Sequence, residues 1–451
     1  MSARPPSVEV LVSNERLADL VSQHGRPIIT DHVRAVLSGV RRQQNSPTDW
    51  PNVDELIDAV RTRAETPFGL QRVINATGVL LHTNLGRAPW SRFMVDQIAE
   101  RLAGYVTLEY DLESGTRGVR GATVEAGLAA LAGAEGALIV NNNAAAVYLA
   151  LTTLAWNREV VISRGELVQI GGGFRIPEVL ARSGAVLHEV GTTNKTSLRD
   201  YEAACGPQTG LILKVHRSNF VQKGFVEEVS ASDLAALGKR KSLPVVWDIG
   251  SGAVDGVDVP ALSGEPTLRD AVASGVHLAT GSGDKLLGGP QGGLILGESD
   301  LIKRLRADPL YRAFRPGKAT LLALEYIVAA HRSGRAGQLI PLYQLAAVTA
   351  HELQRRAERL AAVANEFGWM SKAVTTNDTF GGGAAPEAVL PGWGLRLTGR
   401  ASADALEARA RAHTPPIVGT ITDGALVFSL RTVLAGEDAE IEHFLQVAST
   451  R

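Results

Sequence analysis

Apolar positions in the first sixty-odd residues recur at helical spacing. Residues 8–11 and 17–21, then Val33, Val36, Leu37 and Val40, each mark one face of a helix. Ser13-Asn14-Glu15-Arg16 offers a helix cap, Gln44-Asn45-Ser46-Pro47 a break, and residues 53–63 a further helix. From Val73 the pattern changes. Short β-rich runs at 137–140, 160–163, 186–190, 211–215, 244–247, 278–280 and 293–296 alternate with Ala/Leu-rich stretches such as 124–132, 144–155 and 231–238. This alternation predicts an α/β domain with a mostly parallel sheet. Residues 318–348 turn strongly helical, and 381–391 read as a Gly-, Ala- and Pro-rich loop. Strands at 394–398, 416–420 and 425–429 and a final helix at 438–447 predict a small α+β domain. The expected division is a helical N-terminal domain over 1–65, a large α/β domain over 66–320 and a small C-terminal domain over 321–451.

Composition narrows the function classes. With 451 residues, 45% of them hydrophobic, the chain can bury cores for two or three domains. A net charge of −1 gives no global basic field for nucleic acid. In residues 1–63 eight arginines are balanced by eight acidic residues, so this segment has no electrostatic signature either. The single Cys205 excludes an internal disulfide and a multi-cysteine metal site, and reads as a small buried apolar residue. Residues 1–8 lead into no apolar signal core, and no run approaches the roughly 20 apolar residues of a membrane span. A soluble, cytoplasmic protein with no membrane partner is expected.

The candidate chemistry begins in the window Ala279-Thr-Gly-Ser-Gly-Asp-Lys-Leu-Leu-Gly-Gly-Pro-Gln-Gly-Gly293. A strand ends there and Lys285 sits among glycines that let backbone approach a ligand. An apolar setting lowers a lysine's pKa, as an amine nucleophile requires. Ser282 could bond a phosphate, and a plain turn with a solvated lysine would read similarly. A second window, Ser242-Leu-Pro-Val-Val-Trp-Asp-Ile-Gly-Ser-Gly252, puts Asp248 at the C-terminal end of a strand, where α/β sheets bind ligands. An acid there suits the ring nitrogen of pyridoxal phosphate (PLP), though a turn or cap role is the alternative. A third, Ala137-Leu-Ile-Val-Asn-Asn-Asn-Ala-Ala-Ala146, runs from strand to helix. Its Asn142, Asn143 and Ala144 stand where free N–H groups receive a phosphate. Finally, Val215-His-Arg-Ser-Asn-Phe220 places Asn219 for the cofactor's phenolic oxygen, and His216 either orients the ring or pairs within the core. Each signal is weak alone. In this order they match fold-type-I PLP enzymes, with a Schiff base on Lys285.

The chain resembles the bacterial selenocysteine synthases, the L-seryl-tRNA(Sec) selenium transferases. The resemblance rests on Ile74-Asn-Ala-Thr-Gly-Val-Leu-Leu-His-Thr-Asn-Leu-Gly-Arg-Ala-Pro89, Gly165-Glu-Leu-Val-Gln-Ile-Gly-Gly-Gly-Phe-Arg-Ile-Pro177, Gly191-Thr-Thr-Asn-Lys-Thr196 and the Lys285 window. Pro6-Ser-Val-Glu-Val-Leu11, Gly25-Arg-Pro27 and Val33-Arg-Ala-Val-Leu37 resemble the family's N-terminal tRNA-binding domain, which shorter relatives acting on small amino acids usually lack. It implies PLP-dependent conversion of seryl-tRNA(Sec) to selenocysteinyl-tRNA(Sec) through a dehydroalanyl-tRNA intermediate, with selenophosphate as selenium donor. By the same resemblance Arg87, Arg312 and Arg315 bind the donor's phosphate. Asp284 tunes Lys285, serves as the acid, or caps the turn. The resemblance further implies a homo-oligomer, dimers assembled into a larger ring, with Arg87 serving its own or a neighbouring subunit. The family tends to carry Glu where Gln169 stands, which leaves that position's role open. Two other readings are a PLP lyase or transferase acting on a free amino acid or amino sugar, and a non-catalytic RNA-binding scaffold.

Overall fold

The computed structural model describes residues 6–43, 50–65, 69–170, 173–255, 258–399 and 401–449. The chain divides into two compact units, Met1–Val73 and Ile74–Arg451.

The first unit is helical: α1 (Val8–Val12), α2 (Ala18–His24), α3 (Arg26–Gln43) and α4 (Val53–Glu65). Leu11, Leu17, Ile29, Val33, Leu37, Ile57 and Val60 form one buried cluster, so the helical spacing of the sequence is the core of the unit. The Ser7 side chain accepts from the Val10 N–H and caps α1. Arg16 pairs with Asp54 and Asp58, and Arg61 with Asp19. These arginines are therefore engaged on the unit's own surface. The break expected at 44–47 lies outside the described residues.

The second unit is built on a seven-stranded sheet: β1 (Gly136–Val140), β2 (Glu159–Ser163), β3 (Val186–Val190), β4 (Thr209–Val215), β5 (Val245–Gly250), β6 (Leu278–Ser282) and β7 (Gly293–Gly297). Their spatial order is β1-β7-β6-β5-β4-β2-β3. All pairings are parallel except those of β7, which runs antiparallel to both neighbours. β4 and β7 are buried throughout, as strands covered on both faces require. Along β1, Ala137 and Ile139 enter one apolar cluster while Leu138 and Val140 enter the other. On the first face lie α5 (Ala122–Ala132) and α7 (Lys318–Arg332), and on the second α6 (Asn143–Ala155).

Leu321, Leu324 and Ile327 of α7, with Leu342 and Tyr343 beyond it, share a cluster with the sheet. The expected division at residue 320 thus falls inside one continuous core. A separate cluster forms around α8 (Ala350–Glu366) and a four-stranded antiparallel sheet. Its strands are β8 (Met370–Thr379), β9 (Val389–Thr398), β10 (Thr420–Thr422) and β11 (Ala425–Ser429), in the order β8-β9-β11-β10. Ile74 belongs to this cluster and pairs with Ile417, so the unit's first residues lie with its last.

Two differences from the sequence pattern have physical reasons. β8 carries mostly polar residues with little alternation, so period-2 reading passes over it. Pro391 lies within β9, not in a loop. β11 covers only Gly394–Leu397 of that strand, so Pro391 faces an open edge where no ladder bond is lost.

The small layer is tied to the large one by Arg431, 2% exposed. Its guanidinium bonds the Asp378 carboxylate at 3.2 Å and the carbonyls of Leu345, Ala346, Val348 and Pro391. Replacing Arg431→Leu strands a buried carboxylate and four carbonyls. The expected loss is about 3–5 kcal/mol, seen as a lower urea midpoint with little change in slope.

Candidate active site

Parallel register brings the first two predicted residues into one environment. Asp248 on β5 stands opposite Thr280 on β6, and the Thr280 hydroxyl donates to its Oδ1 at 2.9 Å. From the start of α6, the Asn143 amide donates to the same oxygen at 2.9 Å. Asp248 is 4% exposed, and burial pushes its carboxyl pKa up against these two bonds and the charge of Lys285. Lys285 follows β6 in a glycine-lined turn and is 5% exposed. Burial lowers its pKa, opposed by Asp248 and reinforced by Arg87. The two groups are thus electrostatically coupled inside the protein, each destabilised as an ion by loss of water.

Gly383 closes the other side of Lys285. A Cβ at 383 would lie 2.7 Å from Nζ, and its φ of +90° suits only glycine. In the sequence, 381–391 reads only as a loop.

The Asn-rich turn is shaped as expected and differs in its partners. The Asn142 side chain accepts from the Ala145 N–H and caps α6. Asn143 spends its amide on Asp248, so phosphate contact there falls to the backbone N–H groups at Asn143 and Ala144, which have no intrahelical acceptor. Ser282 is buried at the end of β6, two residues beyond Thr280 on the same face.

Asn219 donates to the Gln169 carbonyl at 2.7 Å, and Gln169 uses its side-chain oxygen to accept from Arg175. His216 follows β4, and its N–H donates to the Asp248 carbonyl at 2.8 Å. Its ring lies 3.4 Å from Glu265, a loop residue that no spacing signal marks. His216, Trp247 and Glu265 line a cavity of about 690 Å³ that reaches residues 385–388, close behind Gly383.

Arg87 adopts a φ of +62°, strained for a residue with a side chain. It pairs with Asp284 at 2.5 Å, next to Lys285, in a cavity also lined by Trp90 and Gln291. Arg312 and Arg315 line a different cavity with Arg120 and Glu109. Within one chain the three arginines therefore do not converge. The Phe314 carbonyl accepts from the Asn141 N–H, which sets the 312–315 segment against the turn before α6.

Residues 73–434 match the family model described as L-seryl-tRNA selenium transferase, and residues 6–41 match the one described as selenocysteine synthase N terminal. The chain belongs to the L-seryl-tRNA selenium transferase family. Relatives named L-seryl-tRNA(Sec) selenium transferase include that of Geobacter metallireducens, 43% identical with 96% of each chain covered. Another, from Rhizobium meliloti, is 42% identical with 94% of this chain and 93% of the relative covered. The one from Aquifex aeolicus is 44% identical with 84% of each covered. Among solved structures, D-glucosaminate-6-phosphate ammonia-lyase superposes with a TM-score of 0.61 at 22% identity, covering 89% of this chain and 99% of its own. That likeness concerns the fold, which is that of fold-type-I PLP-dependent transferases. Among the described residues no helix is long and apolar enough to cross a membrane.

In this selenium transferase family member, Gly383→Ala should strain the turn at 383 and obstruct the Lys285 amine. PLP titrated into cofactor-free protein, followed by absorbance, should bind at least about tenfold more weakly, a cost of roughly 1.4 kcal/mol or more. In wild type, modification of Lys285 by a carbonyl reagent should reach half its maximum rate below the 10.5 of an ordinary lysine, because burial favours the neutral amine.

Proposed function

We propose that the chain carries out the conversion stated in its relatives' names, moving selenium onto serine held on tRNA(Sec), with PLP attached at Lys285. The observation that carries this reading is the coupled, buried Asp248 and Lys285 at the C-terminal ends of β5 and β6.

The residues present suit the cofactor. Buried polar atoms without partners occur at Asn143 Oδ1, Ser251 Oγ and Asn219 Oδ1. Gly383 leaves free the space that a side chain would fill over the lysine. Asp248 would hold the ring nitrogen, the start of α6 and Ser282 the phosphate, and His216 one side of the ring. When bound, PLP supplies a carbonyl for the substrate amine and a ring that takes up negative charge. Lys285, with its lowered pKa, is the base for the seryl α-proton once its amine is free. Asp284 stands beside it and holds Arg87 by an ion pair. The seryl group loses its α-proton and β-hydroxyl as water, and the β-carbon of the dehydroalanyl group that remains bonds selenium as the donor's Se–P bond breaks and its phosphate passes to water.

Selenophosphate is the donor in this reading, and Arg87 is its first anion ligand. Arg312 and Arg315 form a second cationic group on the far side of the Asn-rich turn. The chain is read as a homo-oligomer of dimers in a ring. Tyr105, Tyr110, Leu112 and Val119 support this, since all are more than half exposed on one segment that a second copy would cover. The helical unit over 6–65 is read as the tRNA-binding part, in a cytoplasmic enzyme.

Lys285→Ala should abolish both the cofactor's visible absorbance and turnover. A yellow, active variant refutes the assignment. Asp248→Ala should cost about 3–5 kcal/mol of transition-state stabilisation, or roughly 10²–10⁴-fold in rate. Deleting residues 1–65 should abolish turnover of seryl-tRNA(Sec) while leaving PLP bound. Retained activity on free serine or an amino sugar would favour the alternative of a small-molecule enzyme.

A further inference from the structure

Away from the sheet, the small layer brings together three side chains that the reaction does not use. His413 follows helix α9 (Ala403–Arg411), and Glu440 and His443 lie on the last helix, α10 (Asp438–Ser449). One ligand atom from each lies within 4.8 Å of the others. The two on α10 are three residues apart, which sets them on one face of the helix. That face flanks the buried one, where Ile441, Phe444 and Leu445 enter the core. The His413 ring packs edge-on against both Phe444 and His443, at centroid distances of 5.7 and 5.3 Å.

These groups lack other employment. Among the described residues, none of the three side chains makes a hydrogen bond or ion pair. His413 Nε2 is buried without a partner, an arrangement that costs free energy unless something satisfies the atom. The carboxylate of Glu440 and the ring of His443 each bring a ligand atom within 4.8 Å of one on the His413 ring.

We propose that His413, Glu440 and His443 form a site for a divalent transition metal of the zinc class, with water as the fourth ligand. Two imidazoles and one carboxylate are a zinc-type donor set. Tetrahedral zinc sets its ligand atoms about 3.4 Å apart. Small rotations of the two α10 side chains, both reachable from solvent, close the remaining gap. The site lies far along the chain from Lys285 and takes no part in the reaction. It clips the C-terminal helix to the segment that follows α9, so its effect is on the holding of that helix.

The test uses the untagged, PLP-loaded full chain and zinc competed against a chromogenic chelator. Wild type should bind one more zinc per chain than His443→Ala or Glu440→Gln, with affinity reduced at least about tenfold in each variant. Cobalt added in place of zinc should give visible ligand-field bands in wild type that both variants lose. Zinc should raise the melting temperature of wild type alone. Both substitutions are on the solvent side of α10, so unchanged melting without metal confirms folding. Equal zinc stoichiometry and affinity in all three proteins, or absence of the cobalt bands from wild type, overturns the proposal. Neither result bears on Lys285 chemistry, which is read separately from seryl-tRNA turnover.

Discussion

A carboxylate sealed inside a sheet sets the terms for this protein. Asp248 has lost its water, and burial favours its protonated form. Its two neutral hydrogen bonds, from Asn143 and Thr280, satisfy lone pairs without supplying charge. A buried anion needs a cation or a shared proton nearby. Lys285 supplies part of that field and is itself pushed toward the neutral amine by the same burial. The result is an acid and an amine, each held away from its solution behaviour, the acid on β5 and the amine in the turn after the adjacent β6. A heterocyclic base that accepts a proton at one end and carries an aldehyde at the other answers both needs.

The rest of the large domain follows from positioning that pair. Asp248 stands where β5 meets its in-register neighbours, so its location depends on the sheet. β7 returns antiparallel between β6 and β1, and Gly293 on it lies so close to the Asn142 carbonyl that a Cβ would approach within 2.1 Å. That close approach presses the turn before α6 against the end of β7. Asn143 can then reach Asp248 across the sheet. The Arg431–Asp378 pair and its carbonyl partners couple the small layer, and with it Gly383, to the sheet that carries Lys285.

Much of this was legible in the residues. All seven strands of the large sheet are visible as short β-rich runs; β4 and β7, covered on both faces, are mostly apolar, while the edge strand β3 is partly exposed. Asp248, Asn143, Ser282 and Lys285 could be located because each sits at the C-terminal end of such a run or just past it. Their partners could not. Asn143 was expected to face a phosphate, yet its amide goes to Asp248, a choice made by three-dimensional approach that no spacing encodes. Asn219 likewise donates to Gln169, fifty residues away. Glu265 and Gly383 lie in loops, where sequence carries no period to follow. β8 is hidden in the sequence because most of its residues are polar and their pattern carries no apolar alternation.

The arginines show where a single chain stops explaining itself. Arg87 holds a left-handed backbone conformation and an ion pair with Asp284. Strain of this kind persists where a site over-determines the geometry. Arg315 and Arg120 share one carboxylate, Glu109, which Arg117 also approaches, so positive charge there exceeds its internal partners. Arg312 adds to that excess in the same cavity. The cationic cluster lies beside the turn before α6, and the strained Arg87 lies beside Lys285 in a separate cavity. Where arginines outnumber the carboxylates around them, as at Glu109, like charges repel, and a bidentate anion placed among them would relieve that repulsion.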